Sequence, residues 1–360
     1  MNFKPYKKNN RFYNHPQDNI FLQCKHVIRT GIKFLQKGCK IILNKDNYKY
    51  PSQEEWVVTP KLLQKSKEPI ITWLGHSTFL IQIENINIIT DPVFSDVSRF
   101  FFPRLFKIPF DKKNFPNIDI ILISHNHKDH LDINTLNILC TSTTLGPAGS
   151  FEVSKFNNNN TTGLRPVVFT RGDSGPDRNT RILVPFGNKK FLNFKKFYNV
   201  LEYNWGDSIK TPAGEISLTF LPANHWSGRN IFNINKTLWG SWLIESNYTK
   251  IYFGGDTAYD THFKDIGKTF SPINIALMPI GPCEPRKYLK NSHINSSEAI
   301  KGFIELGAQE FIPMHWGTFR AGSDSFLDPI NFLKKEWEEQ KEKLLNKKLN
   351  ILRPGESIKF

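Results

Sequence analysis

Cysteine is scarce in this chain: 360 residues contain four, Cys24, Cys39, Cys140 and Cys283, far apart and with no C-x-x-C pair. That spacing excludes a zinc knuckle and a disulfide framework, so reduced thiols are expected. Long apolar runs are missing too, and without about eighteen consecutive apolar residues no membrane-spanning helix is expected. The N-terminus, Met1 to Asn10, is charged and polar and no apolar h-region follows it. The expectation is therefore a cytoplasmic protein without a signal peptide, in contact with membranes only peripherally. Acidic residues are in the minority, 33 against 48 Lys and Arg, which leaves a formal net charge of +15. An excess of that size suits an anionic partner such as nucleic acid, an anionic lipid surface or a phosphorylated substrate. Lys is spread along the whole chain, so part of the excess serves solubility alone.

The length suits one large domain with extensions, and no internal repeat is detectable. We divide the chain into a basic extension over 1–64, a central catalytic domain over 65–330 with an insertion at about 141–182, and a C-terminal piece over 331–360. That last piece is read as a charged helix and a final strand packing on the central domain. Residues 1 to about 19 are basic and Asn-rich, and poor order is expected there. Phe21, Val27, Ile28, Ile32, Leu35, Cys39 and Ile42 then recur at helical spacing, with Lys25, Arg29, Lys33, Lys37 and Lys40 off that stripe. Such a helix covers a core more often than it lies on an anionic bilayer, and the core role is the expectation.

From Ile70 the pattern turns to strands, at 70–74, 79–83, 86–90, 118–123, 215–221, 239–245, 250–254, 274–280 and 309–314. Helical patterns fall at about 131–139, 296–306 and 326–346. Strands in series with interspersed helices describe an α/β sandwich. Between about 141 and 182 the chain is rich in Thr, Ser, Gly, Asn and Pro, including Asn157 to Asn160, and reads as a surface insertion. Within it Gly172-Asp173-Ser174-Gly175-Pro176 looks like the nucleophile loop of trypsin-like proteases. No two-barrel strand pattern surrounds that fragment, and it is set aside.

Chemistry concentrates in Ser124-His125-Asn126-His127-Lys128-Asp129-His130, directly after an apolar strand. Packing gives no reason to gather so many hydration-demanding groups at a strand end. Imidazole and carboxylate together suit zinc, and H-x-H-x-D-H offers two ligand pairs that point in different directions. His125 and His127 serve one ion in this reading, while Asp129 and His130 turn toward a second. Further ligands should lie at later strand ends. His225 in Ala223-Asn224-His225-Trp226, Asp256 in Gly254-Gly255-Asp256-Thr257 and His315 in Pro313-Met314-His315-Trp316 occupy such positions.

In this order the motifs resemble those of the metallo-β-lactamase-fold hydrolases. The resemblance is closer to one branch, the N-acyl-phosphatidylethanolamine-hydrolysing phospholipase D family. It covers about residues 60 to 325. Besides the metal loop it rests on Thr72-Trp73-Leu74-Gly75-His76-Ser77-Thr78, Thr90-Asp91-Pro92-Val93-Phe94-Ser95, Leu238-Trp239-Gly240-Ser241-Trp242, Glu284-Pro285-Arg286 and His315-Trp316-Gly317-Thr318-Phe319. The insertion and the wording of Gly281-Pro282-Cys283-Glu284 depart from the family pattern.

The resemblance implies a four-layer αβ/βα sandwich with two zinc ions per chain. His125, His127 and His225 would hold the first, Asp129, His130 and His315 the second, and Asp256 would bridge them. His293 matches a family position near the substrate phosphate, so Asp256 and His293 are the implied catalytic residues and His293 the implied substrate-binding one. Ser124, Asp91 and Asp132 are candidates for orienting the ligand imidazoles. The implied reaction is attack by a metal-bound hydroxide on phosphorus, giving an N-acylethanolamine and a phosphatidic acid. A lactonase or esterase of the same superfamily is the alternative, and a nuclease a remoter one. The expected partners are a phospholipid at an anionic membrane surface and a second copy of the chain in a homodimer, with no obligatory nucleic acid. The aromatic and cationic run from Val97 to Phe110 reads equally as an interfacial segment beside the cleft and as a buried connection.

Overall fold

The structure is a computed structural model that describes residues 3–360 apart from 22–23, 26–27, 30, 33–35, 37–48, 62–63, 99–101, 112–114, 141–151, 155–179 and 212–214. Most of the expected insertion, including Gly172 to Pro176, lies outside the described residues, as do Phe100, Phe101, Val27, Leu35, Cys39 and Ile42.

Two sheets form the centre. The first has seven strands in the spatial order Ser357–Lys359, Ile70–Gly75, Thr78–Ile83, Ile86–Thr90, Ile120–Leu122, Arg181–Pro185 and Val200–Tyr203. The second has eight: Lys348–Leu349, Ala308–Met314, Ile273–Pro279, Lys250–Phe253, Ser241–Ser246, Ile216–Leu221, Ser208–Lys210 and Glu152–Ser154. Every expected strand is present. The short strands Arg181–Pro185, Val200–Tyr203 and Ser208–Lys210 were not expected, and the first of them takes two residues from the supposed insertion. Among the described residues no helix is long and apolar enough to cross a membrane.

Side-chain alternation explains the layering. In the first sheet Ile71, Trp73, Phe79, Ile81, Ile88, Ile120, Leu122 and Leu183 point into the core between the sheets. Their neighbours Leu80, Ile89, Ile121, Ile123, Ile182 and Val184 point the other way, against Leu136 and Leu139 of helix Ile133–Cys140 and Leu192 of helix Lys189–Phe194. A strand covered on both faces has no polar side to alternate, which is why these segments read as continuous apolar runs. Helices His262–Phe270, Ser296–Glu305 and Asp328–Glu339 contribute Phe263, Phe303 and Leu333 to the core that includes the second sheet. The result is the helix, sheet, sheet, helix order of the metallo-β-lactamase fold.

One expectation for the N-terminal extension fails. Residues 6–13 are not poorly ordered: Tyr6–Lys8 and Arg11–Tyr13 form an antiparallel hairpin. Its two-residue loop, Asn9-Asn10, has both φ values positive at 49° and 60°. Asparagine tolerates that backbone, which a tight hairpin turn needs, so the Asn run that suggested disorder is the turn itself. The hairpin is tied down by Phe12 N–H donating to Asn235 O at 2.8 Å and by burial of Phe12 and Tyr13. Of the helical stripe after it, the described Phe21, Ile28 and Ile32 are 80%, 51% and 47% exposed, while Val27, Leu35, Cys39 and Ile42 lie outside the described residues.

The Trp239-Gly240-Ser241-Trp242 passage joins the two sheets. Gly240 N–H donates to Ser124 O at 3.0 Å and Trp242 Nε1 to Ile123 O at 2.9 Å. A Cβ on Gly240 would meet Leu221 O at 2.3 Å and the Phe220 ring at 2.6 Å. Gly240→Ala is therefore expected to destabilise the fold by about 3 kcal/mol, since neither a backbone carbonyl nor a fully buried ring can retreat cheaply. Urea unfolding monitored by tryptophan fluorescence checks this, and a midpoint equal to that of the parent chain would refute it.

Candidate metal centre

The H-x-H-x-D-H segment leaves strand Ile120–Leu122 at the edge where the two sheets come together. Its first residue is fixed by a buried carboxylate: Asp91 Oδ1 accepts from Ser124 N at 2.7 Å and Asp91 Oδ2 from Ser124 Oγ at 2.5 Å. Asp91 itself holds a left-handed φ of 33°. From the second sheet, His225 follows Ile216–Leu221, Asp256 follows Lys250–Phe253 and His315 follows Ala308–Met314. Gly255, at φ +58°, makes the close approach possible, because a Cβ there would meet the Ser124 Cβ at 2.6 Å.

All seven expected ligands converge, in two groups whose donor atoms lie within 4.8 Å of one another. In the first, His127 Nδ1 lies 2.8 Å from His125 Nε2 and 3.4 Å from His225 Nε2. Asp256 Oδ2 stands 3.9 Å from His125 Nε2 and 3.7 Å from His225 Nε2. The second holds His76, Asp129, His130 and His315, with His130 Nε2 3.7 Å from Asp129 Oδ2. Asp256 reaches this group as well, its Oδ1 lying 3.0 Å from His315 Nε2 and its Oδ2 3.3 Å from His130 Nε2. His293 stands at the rim, Nδ1 3.8 Å from Asp256 Oδ2.

Three ligand rings are aimed by their far nitrogens. His130 Nδ1 donates to Asp91 Oδ2 and His225 Nδ1 to Ser292 O, each at 2.7 Å, while His125 Nδ1 is 2.9 Å from Ser124 Oγ. Each bond turns Nε2 inward. Two of the proposed orienting residues, Asp91 and Ser124, thus touch ligand rings. Asp132 does not: it accepts from Ser95 Oγ at 2.6 Å and Thr135 Oγ1 at 2.5 Å, anchoring the start of the following helix. Sequence alone could not tell these roles apart, because Asp91 is 39 residues from the ring it serves. The N-terminal hairpin adds an unforeseen support, as Asn14 Nδ2 donates to His225 O at 2.9 Å and Asn14 Oδ1 accepts from His225 N at 3.2 Å.

His76 was also missed as a site residue. It sits in a left-handed turn at φ 54°, its N–H donating to Thr318 Oγ1 at 2.6 Å and its carbonyl accepting from His315 N at 3.1 Å. Its Nε2 lies 3.3 Å from Asp129 Oδ2, and its ring centroid 4.1 Å from that of His315. Its one local signal is a position just past a strand end, directly after a glycine.

The donor set fits divalent ions. Buried His76 Nε2, His130 Nε2, His315 Nε2, His293 Nδ1 and Asp256 Oδ1 converge on one space without a well-formed hydrogen bond among them, as donors to a shared cation would. Burial pushes His127 down to about 4 and His225, His293 and His76 down to about 3, with His125 also far below its ordinary value. Such imidazoles are neutral near pH 7, as metal ligation requires. His130 is the exception. Burial opposes its charge, but the Asp256, Asp129 and Asp91 carboxylates hold it well above the ordinary histidine range. Asp256 is likewise opposed by burial and held well below the usual carboxylate range by His130 and His315. The same carboxylates that favour positive charge on His130 would favour cations beside it.

A pocket of about 280 Å³ opens over this centre, with Val97, Phe102, Trp226, Leu289 and Phe319 as an apolar wall above Asp256, His293 and His315. The Val97 to Phe110 run supplies Phe102 to that wall. In its described remainder only Phe106 and Pro109 are buried and Lys107 is exposed, with Phe106 packed edge-on to Phe326 at 5.7 Å and half-buried Phe110 stacked on Phe115 at 4.3 Å. The backbone around His293 is pinned by Arg286 Nη1, which donates to His293 O at 2.7 Å while its other end pairs with Glu298. That explains the Glu-Pro-Arg passage.

Comparisons with known proteins agree with this geometry. A family model described as a beta-lactamase superfamily domain matches residues 86–316. The chain is 31% identical over 276 residues to N-acyl-phosphatidylethanolamine-hydrolyzing phospholipase D 1 of Caenorhabditis elegans, covering 73% of this chain and 68% of that protein. It is 32% identical to the mitochondrial N-acyl-phosphatidylethanolamine-hydrolyzing phospholipase D of Saccharomyces cerevisiae, again over 73% of this chain but only 51% of the relative. The chain thus spans about half the length of the yeast protein. Among solved structures, a metallo hydrolase from the archaeon Ignicoccus hospitalis superposes with a TM-score of 0.53 at 19% identity, covering 81% of this chain and 98% of the other, a likeness of fold.

Metal analysis of the purified chain is expected to give two divalent ions per molecule, and His76→Phe to lower occupancy of the second group while leaving the first filled. Stripping the metal with a chelator should lower the thermal midpoint by several degrees, because the ions bind the folded state alone. An unchanged midpoint after complete removal, or full occupancy in His76→Phe, would contradict the assignment.

Proposed function

The chain belongs to the beta-lactamase superfamily, and from that premise we propose that this metal-dependent hydrolase is a phosphodiesterase of the phospholipase D type with two zinc ions. Its proposed substrate is N-acyl-phosphatidylethanolamine in a membrane, cleaved to an N-acylethanolamine and a phosphatidic acid. The carrying observation is the pocket itself, where a floor of paired imidazole and carboxylate groups meets a wall of Phe102, Leu289 and Phe319. A phospholipid has that division of character at its diester, and the two phospholipase D relatives support the choice.

Bound divalent ions supply Lewis acidity toward the phosphoryl oxygens and make an activated water available near neutral pH. His125, His127 and His225 would hold one ion and Asp129, His130 and His315, with His76 beside them, the other, with Asp256 spanning both groups through its two oxygens. Burial keeps His125, His127 and His225 neutral and Asp256 is held anionic, so these donors are ready for a cation without a prior proton loss. His293 faces the same space from the pocket rim. Because burial pushes it down to about 3, it is neutral at pH 7 and acts as a hydrogen-bond partner for a phosphate oxygen rather than as a standing proton donor. Phe102 and Phe319 exclude water from the space above the diester and give an acyl chain its apolar contact.

Hydrolysis in ¹⁸O-labelled water is expected to place the label in phosphatidic acid. Label in a released fatty acid would mean that an ester is cut instead, as in the lactonase and esterase reading. His293→Ala should lower turnover by about 10²-fold or more with metal content unchanged. Parent-level turnover in that variant would remove His293 from the site.

A further inference from the structure

Among the described residues, the N-terminal helical segment presents exposed apolar side chains beside exposed cations. Phe21, Ile28 and Ile32 are 80%, 51% and 47% exposed. Their spacings of seven and four put them on one face of a helix. Lys25 and Arg29, also exposed, lie along the edge of that face. Both cations line a cavity of about 710 Å³ together with Lys287 and Lys290, against a single acidic residue, Asp18. That cavity adjoins the catalytic pocket, since Trp226 and Ser292 line both, and Gly31 from the same helical segment lines the catalytic pocket. Apolar side chains, cations and the mouth of the pocket therefore share one side of the protein.

We infer that this side is a docking surface for an anionic lipid bilayer, with Phe21, Ile28 and Ile32 entering the headgroup and acyl boundary and Lys25, Arg29, Lys287 and Lys290 meeting acidic headgroups. Charge selects the occupant. A second copy of the chain would bring the same four cations against their counterparts, whereas an anionic membrane offers opposite charge and an apolar layer at the depth the stripe needs. The excess of 48 basic over 33 acidic residues adds long-range attraction to the same surface. The inference deepens the phospholipase reading by giving the pocket a route to its substrate, but docking needs no turnover and is tested apart from it.

The full metal-loaded chain is sedimented with substrate-free vesicles of phosphatidylcholine alone and of phosphatidylcholine with phosphatidylserine. Binding is expected to the second only and to weaken with salt. The triple variant Phe21→Ser, Ile28→Ser, Ile32→Ser and the pair Lys25→Glu, Arg29→Glu should each bind at least about tenfold more weakly, with thermal midpoint and metal content unchanged. In Phe21→Trp, tryptophan emission should shift to the blue on adding anionic vesicles. Parent-level vesicle binding in the triple variant, equal binding to neutral vesicles, or a triple variant that changes only the oligomeric state would each overturn the inference. A chain that docks through this face yet leaves N-acyl-phosphatidylethanolamine intact would keep it and sink the phospholipase reading. Full hydrolysis in vesicles by the triple variant would do the reverse.

Discussion

A carboxylate surrounded by imidazoles and cut off from water governs the arrangement of this molecule. Asp256 is only 3% exposed, and its oxygens lie between 3.0 and 3.9 Å from nitrogens of His125, His130, His225, His293 and His315. An anion in such a place needs positive charge beside it. The Asp256, Asp129 and Asp91 carboxylates favour positive charge on His130, and divalent cations would supply it as well. The requirement explains why the edges of two separate sheets come together here: a single strand end cannot surround one carboxylate from so many directions.

Holding the groups in place demands unusual backbone. Asp91, His76 and His315 have φ values of 33°, 54° and 62°, in a region that residues with a Cβ seldom occupy. Each is locked by its surroundings. Asp91 is bound to Ser124 and His130, while the amide of His76 meets Thr318 and its carbonyl meets both His315 N and Trp73 Nε1. Trp316, next to His315, stacks on Trp73 at a centroid distance of 5.6 Å, so the apolar core grips the turn that presents the ligand. Strain at the centre is offset by packing directly beneath it.

The metal loop was legible because its donors are contiguous, and His225, Asp256 and His315 because each stands immediately after a recognisable strand. The strands were legible for the same reason that the core is: both faces are covered, so apolar residues run on without interruption. His76 was hidden because nothing in Gly75-His76-Ser77 distinguishes a ligand from a turn histidine until Asp129 and His315 are brought beside it. The pairing of Asp91 with His130, and the different task of Asp132, depend on which strand lies next to which. The strands Val200–Tyr203 and Ser208–Lys210 are four and three residues long, too short for alternation to register. In the N-terminal part, composition misled. Asparagines suggested disorder where they form a turn, and the helical stripe gave no sign that Phe21, Ile28 and Ile32 would stand exposed.

The clasp between Asn14 and the backbone of His225 crosses 211 positions of the chain. A contact of that span closes a very large loop, and its entropic cost falls on whichever step brings the ends together. Before that step the ring of His225 has its carbonyl neighbour Ser292 as a guide but no brace on its own main chain. A segment 211 positions upstream thus braces the main chain of His225, and assembly of the centre draws on the chain well beyond the histidine-rich loop.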